Sequence, residues 1–374
     1  MFFMRAGSPR HSSMFQKPAP IHVKAIAGSL LAVLLVFLVL EISLRIVRAC
    51  NPALPVIPDT TYLHYRGRPG AEEFNGFRLN SRGFKDTEFM QKSPGLFRIL
   101  SIGDSQTYGA APYSDSYMTL VESNLRVSCP RCEILNLGVP SAGPVDYLSI
   151  LLNEGLDLDP DMVLLNFNLY DDFKHGGKRL KFYSCSAAAS FINYLRVKVF
   201  KPQGRVFGTG IYREGVPLRS DESYVRLVLD AHGGIFQRNN PSFHGDFHSS
   251  FSYIERIKRI CDSKGIPLAV VIIPADLQLY PQLQKKVLAA LNLRESDCDF
   301  RIPNRMLAEE FQKLGIPHLD LLDPFLQAQA GTGKGLTQGN DPHWNRYGSM
   351  VAAEAVSPWL IRLAGHRGGT AGQN

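Results

Sequence analysis

Several common signals are missing from this 374-residue chain. It has no internal repeat, which excludes solenoids and propellers. No second C-x-x-C accompanies Cys129-Pro-Arg-Cys132, so a zinc site lacks half its ligands. No A-x-A site follows the apolar N-terminal run cleanly, which disfavours a cleaved signal peptide. Acidic side chains are in deficit, 34 against 41 basic ones, giving a net charge of +7. Part of that excess lies in the first 50 residues, at Arg5, Arg10, Lys17, Lys24, Arg45 and Arg48. The densest later basic run, Arg196 to Arg205, sits in no nucleic-acid motif. No nucleic-acid partner is expected.

What is present begins with a membrane signal. Ala25 to Leu40 carries no charge, and its apolar face continues through Ile42, Leu44, Ile46 and Val47. The uncharged run is shorter than the ~20 residues that span a bilayer. A snorkelling Arg45 and the apolar flank make up the length. Three membrane readings stand: a signal anchor, which we favour, a cleaved signal, and a lipoprotein site at Cys50. The expected layout is a cytoplasmic tail at 1–24, a transmembrane anchor at 25–48 and a Pro-rich linker at 49–71. One α/β domain at 72–365 and a flexible tail at 366–374 complete it. The domain is then exported. Cys129 and Cys132 are expected as a local disulfide or as two reduced thiols.

Short apolar runs alternate with helix-period segments beyond residue 96. "RILSIG", "EILNLG", "DMVLLNFN", "PLAVVIIP" and "IPHLDLL" read as strands. "YMTLVESNLRV", "VDYLSILLNEG", "SYIERIKRICDSKG", "PNRMLAEEFQKLG" and "RYGSMVAAEAVSPWLIRL" read as helices. This order predicts a three-layer α/β/α fold around a central parallel sheet. Residues 173–249 break the rhythm and read as an insertion beside the site. "GFRLNSRGFKDTEF", with turn signals at Asn80 to Gly83, predicts a hairpin lid.

In such a sheet, ligands gather at the carboxyl ends of the strands. Gly103-Asp104-Ser105 follows the first core strand directly. An alcohol needs an adjacent base to become a nucleophile. Asp341 and His343, flanking Pro342 before the last helix, supply an imidazole and a carboxylate to orient it. His244, His248 and His318 lack that placement. Tyr108, Tyr113, Tyr170 and Trp344 are candidates for stacking on a ligand or for packing. No cofactor motif is read, and no metal site is expected.

These blocks together resemble the SGNH, or GDSL, hydrolase superfamily. Gly103-Asp104-Ser105 with Thr107 and Gly109 matches its first block, and "NLGVPSAG" (Asn136 to Gly143) resembles its second. "LLNFNLYDD" (Leu164 to Asp172) resembles the third and "DPHWN" (Asp341 to Asn345) the last. "LEISLRIV" and "NSRGFKDTEF…FRILSIGDSQTYG" look like membrane-anchored bacterial members. The likeness covers about residues 72 to 365 and thins in the insertion. No G-x-S-x-G elbow is present, against the ordinary α/β-hydrolase fold.

The resemblance implies a flavodoxin-like sheet, with Ser105 as nucleophile, His343 as general base and Asp341 as its orienter. It implies an oxyanion hole from the backbone N–H of Ser105 and one from Ser141 or Gly143. The third block departs from the family pattern. Where an asparagine donor is usual stands Asp171, followed by Asp172. Either Asp171 is held protonated, or Asn168 reaches in, or the hole is completed otherwise. The last Asp and His are also one residue apart where many members have two. The implied activity is that of a serine esterase or O-acyltransferase. The expected substrate is an ester-linked acyl group, acetyl foremost, on cell-envelope carbohydrate. A non-catalytic binding or scaffold protein is the second reading, and a redox or metal protein built on Cys129 and Cys132 the third.

Overall fold

A computed structural model describes residues 23–51, 67–73, 75–173, 186–200, 204, 212–232 and 234–368. The tail before residue 23, most of the linker, Cys185, much of the insertion and the tail after residue 368 lie outside them. Helix α1 (Val23–Cys50) holds the apolar run. Its window Ala25–Val47 is long and apolar enough to cross a membrane, and none of it is buried in the protein.

Five parallel strands form the sheet: β1 (Phe97–Gly103), β2 (Cys132–Gly138), β3 (Met162–Asn168), β4 (Leu268–Ile273) and β5 (His318–Asp320). Their spatial order is β2-β1-β3-β4-β5. The chain therefore changes direction across the sheet at β1 and β3, the position where such sheets open a crevice. Helices α2 (Ser105–Tyr108), α3 (Tyr117–Ser128) and α4 (Pro144–Ile150) connect the first strands. α5 (Ala187–Phe200), α6 (Asp221–His232) and α7 (Pro241–Ser263) lie between β3 and β4. α8 (Asp276–Leu279), α9 (Pro281–Leu291), α10 (Ile302–Lys313), α11 (Leu322–Thr332) and α12 (Arg346–Gly368) follow. The α/β/α expectation holds.

Both sheet faces are covered, so alternate strand residues feed two cores. Leu100, Leu135, Val163, Leu165, Val270 and Ile272 pack beneath α4, α7 and α10. Ile99, Ile134, Leu164, Val271 and Ile273 pack beneath α3, α11 and α12.

Two expectations need correction. Helix α7 begins at Pro241, with the Asn240 side chain accepting from the N–H groups of Ser242 and Phe243, well before the predicted start. Its first turns looked irregular because His244, Gly245 and His248 interrupt the sequence. Yet Phe243, Phe247 and Phe251 recur every four residues and bury one stripe in the core. The turn at Asn80 to Gly83 forms where expected, with the Gly83 N–H on the Asn80 carbonyl at 2.9 Å and the Asn80 carboxamide accepting from the N–H groups of Arg82 and Phe84, and an antiparallel bridge from Glu72 to Arg78 precedes it.

The segment is accordingly a fixed wall and no lid. Lys85 Nζ donates to the carbonyls of Gly109 and Ala111, both at 2.8 Å, and pairs with Glu73 at 3.5 Å. Neither side chain has any exposure. Burial pulls the Lys85 ammonium down to about 8 against the opposing pull of Glu73. Asp86 accepts from the Asn136 N–H and the Tyr113 hydroxyl, each at 2.7 Å, tying the wall to β2. Removing one partner of such a pair strands the other charge. Lys85→Met should therefore cost about 3–5 kcal/mol in denaturant unfolding. Lys85→Met with Glu73→Leu should recover most of it.

Candidate active site

The site grows out of the ends of β1 and β3. Gly103 closes β1 because a Cβ there would sit 2.0 Å from Thr107 Oγ1. That closeness lets the chain turn at once into α2. Asp104 caps the turn, its carboxylate accepting from the Gln106 N–H at 3.0 Å. Ser105 is then the first residue of the helix, half-buried at the crevice. Among the described residues its hydroxyl has no hydrogen-bond partner, so it is free to rotate.

His343 reaches the same crevice from the loop before α12. Gln106 fastens that loop. Its carboxamide Nε2 donates to the Pro342 carbonyl at 2.8 Å, and its Oε1 accepts from the Trp344 N–H at 3.2 Å. One buried side chain beside Ser105 thus grips the backbone on both sides of His343. Asp341 Oδ1 accepts from His343 Nδ1 at 2.5 Å and from the His343 N–H at 3.0 Å. With Nδ1 turned to the carboxylate, Nε2 is left to face the crevice as acceptor.

Sequence reasoning missed Gln106 and also Arg219. Arg219 comes from the insertion, and its Nη1 bonds Asp341 Oδ2, the oxygen opposite the histidine. The neighbouring backbone is tied to the same loop. Leu218 N–H donates to the Gly339 carbonyl at 2.9 Å, and Asn340 Nδ2 to the Arg219 carbonyl at 2.8 Å. No motif marks Arg219, because its meaning lies in a contact 122 residues away along the chain.

Donors for an oxyanion are sorted by what else they bond. Among the described residues the backbone N–H groups of Ser105 and Ser141 have no acceptor. Ser141 sits at φ 63°, a left-handed turn position. The Gly143 N–H donates instead to Asp146 at 3.2 Å. Asn168 Nδ2 donates to Asp104 at 2.7 Å, which leaves its second N–H. Asp171 is half-buried and acts electrostatically on Asp104, Asp172 and His343.

Behind Ser105 the carboxylates form a buried chain. Tyr147 donates its hydroxyl to Asp172 at 2.8 Å, and Asp172 accepts from the Asn168 N–H at 2.8 Å. Burial, helped by the Asp171 charge, pushes the Asp104 carboxyl up to about 7. Burial and the charges of Asp104 and Asp171 hold Asp172 well above the carboxylate range. Asp341 goes the other way, to about 2: its burial is outweighed by the bonds and charge of His343 and by Arg219. Burial would lower the His343 imidazole, but its bond to Asp341 and the charges of Asp341, Asp104 and Asp171 raise it.

The remaining candidates fall elsewhere. Trp344 and Tyr108 are buried, Trp344 edge-on to Tyr117 and Tyr108 against Ala71 and Leu79, so both pack. Tyr113 and Tyr170 are half-buried. His244 and His248 lie on α7 and His318 on β5. Cys129 and Cys132 are joined in a disulfide. Among the described residues no three His, Cys, Asp or Glu side chains gather to hold a metal ion.

The raised imidazole is testable without any assay. An NMR titration of His343 should place its midpoint above the ordinary imidazole value of about 6.5. Arg219→Gln removes a positive charge from Asp341 and should move that midpoint further up. A downward move would contradict the geometry.

No family model matches the chain. A curated protein of Pseudomonas fluorescens, "Probable alginate O-acetylase AlgJ", is 30% identical over 120 residues, 32% of this chain and 28% of that protein. The chain thus spans under a third of the length of that relative. An acetyl xylan esterase, AlAXEase, aligns over 71% of this chain and 100% of its own, at 14% identity and a TM-score of 0.39. The lipase/acylhydrolase of Enterococcus faecalis aligns over 71% and 96%, at 14% identity and a TM-score of 0.37. In its motif blocks and in its five-stranded parallel sheet, the chain is similar to the SGNH, or GDSL, hydrolases.

Proposed function

We propose that this protein transfers an acyl group, acetyl in the first instance, from an ester to Ser105, and from there to water or to a carbohydrate hydroxyl. The observation that carries this is the Gln106 carboxamide. It binds the backbone on both sides of His343 while standing next to Ser105. His343 Nε2 takes the Ser105 proton as Oγ attacks the ester carbonyl, and Asp341 holds the imidazolium. The Ser105 and Ser141 N–H groups and the second Asn168 N–H are the donors available to the oxyanion. One such donor contributes about 3–4 kcal/mol to the transition state. His343 returns the proton to the departing alcohol, leaving acyl-Ser105. The acceptor then repeats the sequence in reverse.

The compartment follows the same reading. Helix α1 anchors the protein, with its N-terminus inside and the domain outside the cytoplasm. The Cys129–Cys132 disulfide supports an oxidising compartment. Acetylated carbohydrate is favoured by the partial relative described as an alginate O-acetylase. A second reading, an acyl-carbohydrate binding protein without catalysis, is favoured by Asp171, whose carboxylate would oppose an oxyanion.

The test uses the full chain in detergent with p-nitrophenyl acetate and a fluorophosphonate probe. The parent should be labelled and Ser105→Ala should not. Hydrolysis should fall by about 10³-fold or more in Ser105→Ala and His343→Ala. Because His343 is raised and must be neutral to act, the rate should climb with pH through a midpoint above 6.5. Gln106→Ala should slow labelling by about 10- to 100-fold through misplacement of His343. No labelling of the parent would favour the binding reading. Acetyl transfer to an added oligosaccharide separates transferase from esterase.

A further inference from the structure

A glutamate stands at the end of the apolar run, and charge there is costly unless it is paired. The uncharged stretch Ala25 to Leu40 covers about 24 Å as a helix, somewhat less than the ~30 Å hydrocarbon layer. The edge of a bilayer therefore falls within about a turn of Glu41. Glu41 is not left to water. Its carboxylate accepts from Arg45 Nε at 2.6 Å, from the Ser186 hydroxyl at 2.8 Å and from the Ala188 N–H at 2.8 Å. Ser186 and Ala188 are the start of α5, so Glu41 caps that helix from outside. Leu40, Glu41 and Leu44 are the covered positions in this part of α1, one face at helical spacing. Opposite them lie Ala187, Ala188 and Ser190, all buried and small enough to let two helices approach closely.

This contact fixes where α5 begins: at the membrane boundary, wherever the rest of the domain sits. The helix has 14 residues, about 21 Å, too short to cross. Away from α1 it turns apolar side chains outward, Ile192 at 53% and Leu195 at 44% exposure. Arg196 is exposed toward its far end, and the sequence of α5 carries a second base there, Lys198. Apolar side chains with a basic end, next to a membrane anchor, suit a helix lying in the headgroup region of an anionic bilayer.

We propose that α5 is a second membrane contact, lying in the plane of the bilayer surface with Ile192 and Leu195 among the lipids. The proposal rests on α1 being a membrane anchor. Its occupant is lipid, because Glu41 ties the start of α5 to α1 at the end of the stretch long and apolar enough to cross a membrane.

The test uses full-length protein in vesicles of phosphatidylethanolamine and phosphatidylglycerol. In a Cys50→Ser, Cys185→Ser background, Leu195→Cys carries an environment-sensitive nitrobenzoxadiazole label. Val127→Cys, at a position 83% exposed on α3, is the aqueous control. The label at 195 should emit to the blue of the label at 127 and be quenched by lipids spin-labelled near the headgroup. Adding Glu41→Gln should reduce both effects by uncapping α5. Water-like emission at 195, with the protein still in the membrane after a carbonate wash, overturns the proposal and leaves the anchor standing. Loss of the protein in that wash overturns both. Blue-shifted emission without lipid quenching means that another protein surface covers the face, which also overturns it.

Discussion

The Gln106 carboxamide joins the turn after β1 to the loop before α12. Its nitrogen and oxygen are both used, on carbonyl and N–H groups that flank a single histidine. Being buried, these bonds are costly to break, since each loss strands a backbone group without water. A short stiff turn carries Ser105, and a loop tied to that turn carries His343. Everything else at the site adjusts charge and access around this join. Gly103 permits the turn, Asp104 caps it, and Asn168 holds Asp104 from the end of β3.

Electrostatics then divides the carboxylates into two groups. Asp341 is paired on both oxygens and stays ionised, which is what an imidazolium needs beside it. Asp104 and Asp172 are buried together near Asp171, so their protons are held more tightly. The bond and charge of Asp341, with the charges of Asp104 and Asp171, raise His343 against its burial. A more basic imidazole is a stronger proton acceptor but is neutral over a narrower range of pH, so the same charges that help the base also restrict it.

The insertion links the two ends of the problem. At one end Arg219 and its neighbours clasp the loop that holds Asp341. At the other, α5 is capped by Glu41 on α1. Lys85 and Glu73 build an opposite wall from residues before β1. The turn that carries Ser105 and the loop that carries His343 are thus braced by segments from opposite ends of the chain.

The chain order alone determined the strands, their parallel pairing and the crevice at β1, because short continuous apolar runs alternating with helical periods leave few other packings. It also marked Ser105, Asp341 and His343, since a strand-end Gly-Asp-Ser and a distant D-x-H carry local signatures. Only the tertiary structure decided that Gln106 is a clamp, that Arg219 shares the acid, and that the Gly143 N–H and one Asn168 N–H are already engaged. It also decided that α7 starts at Pro241 and that Trp344 packs inside. Each of these depends on a partner far away in sequence, and a hydrogen bond or a buried ring leaves no periodic trace in the residues that make it.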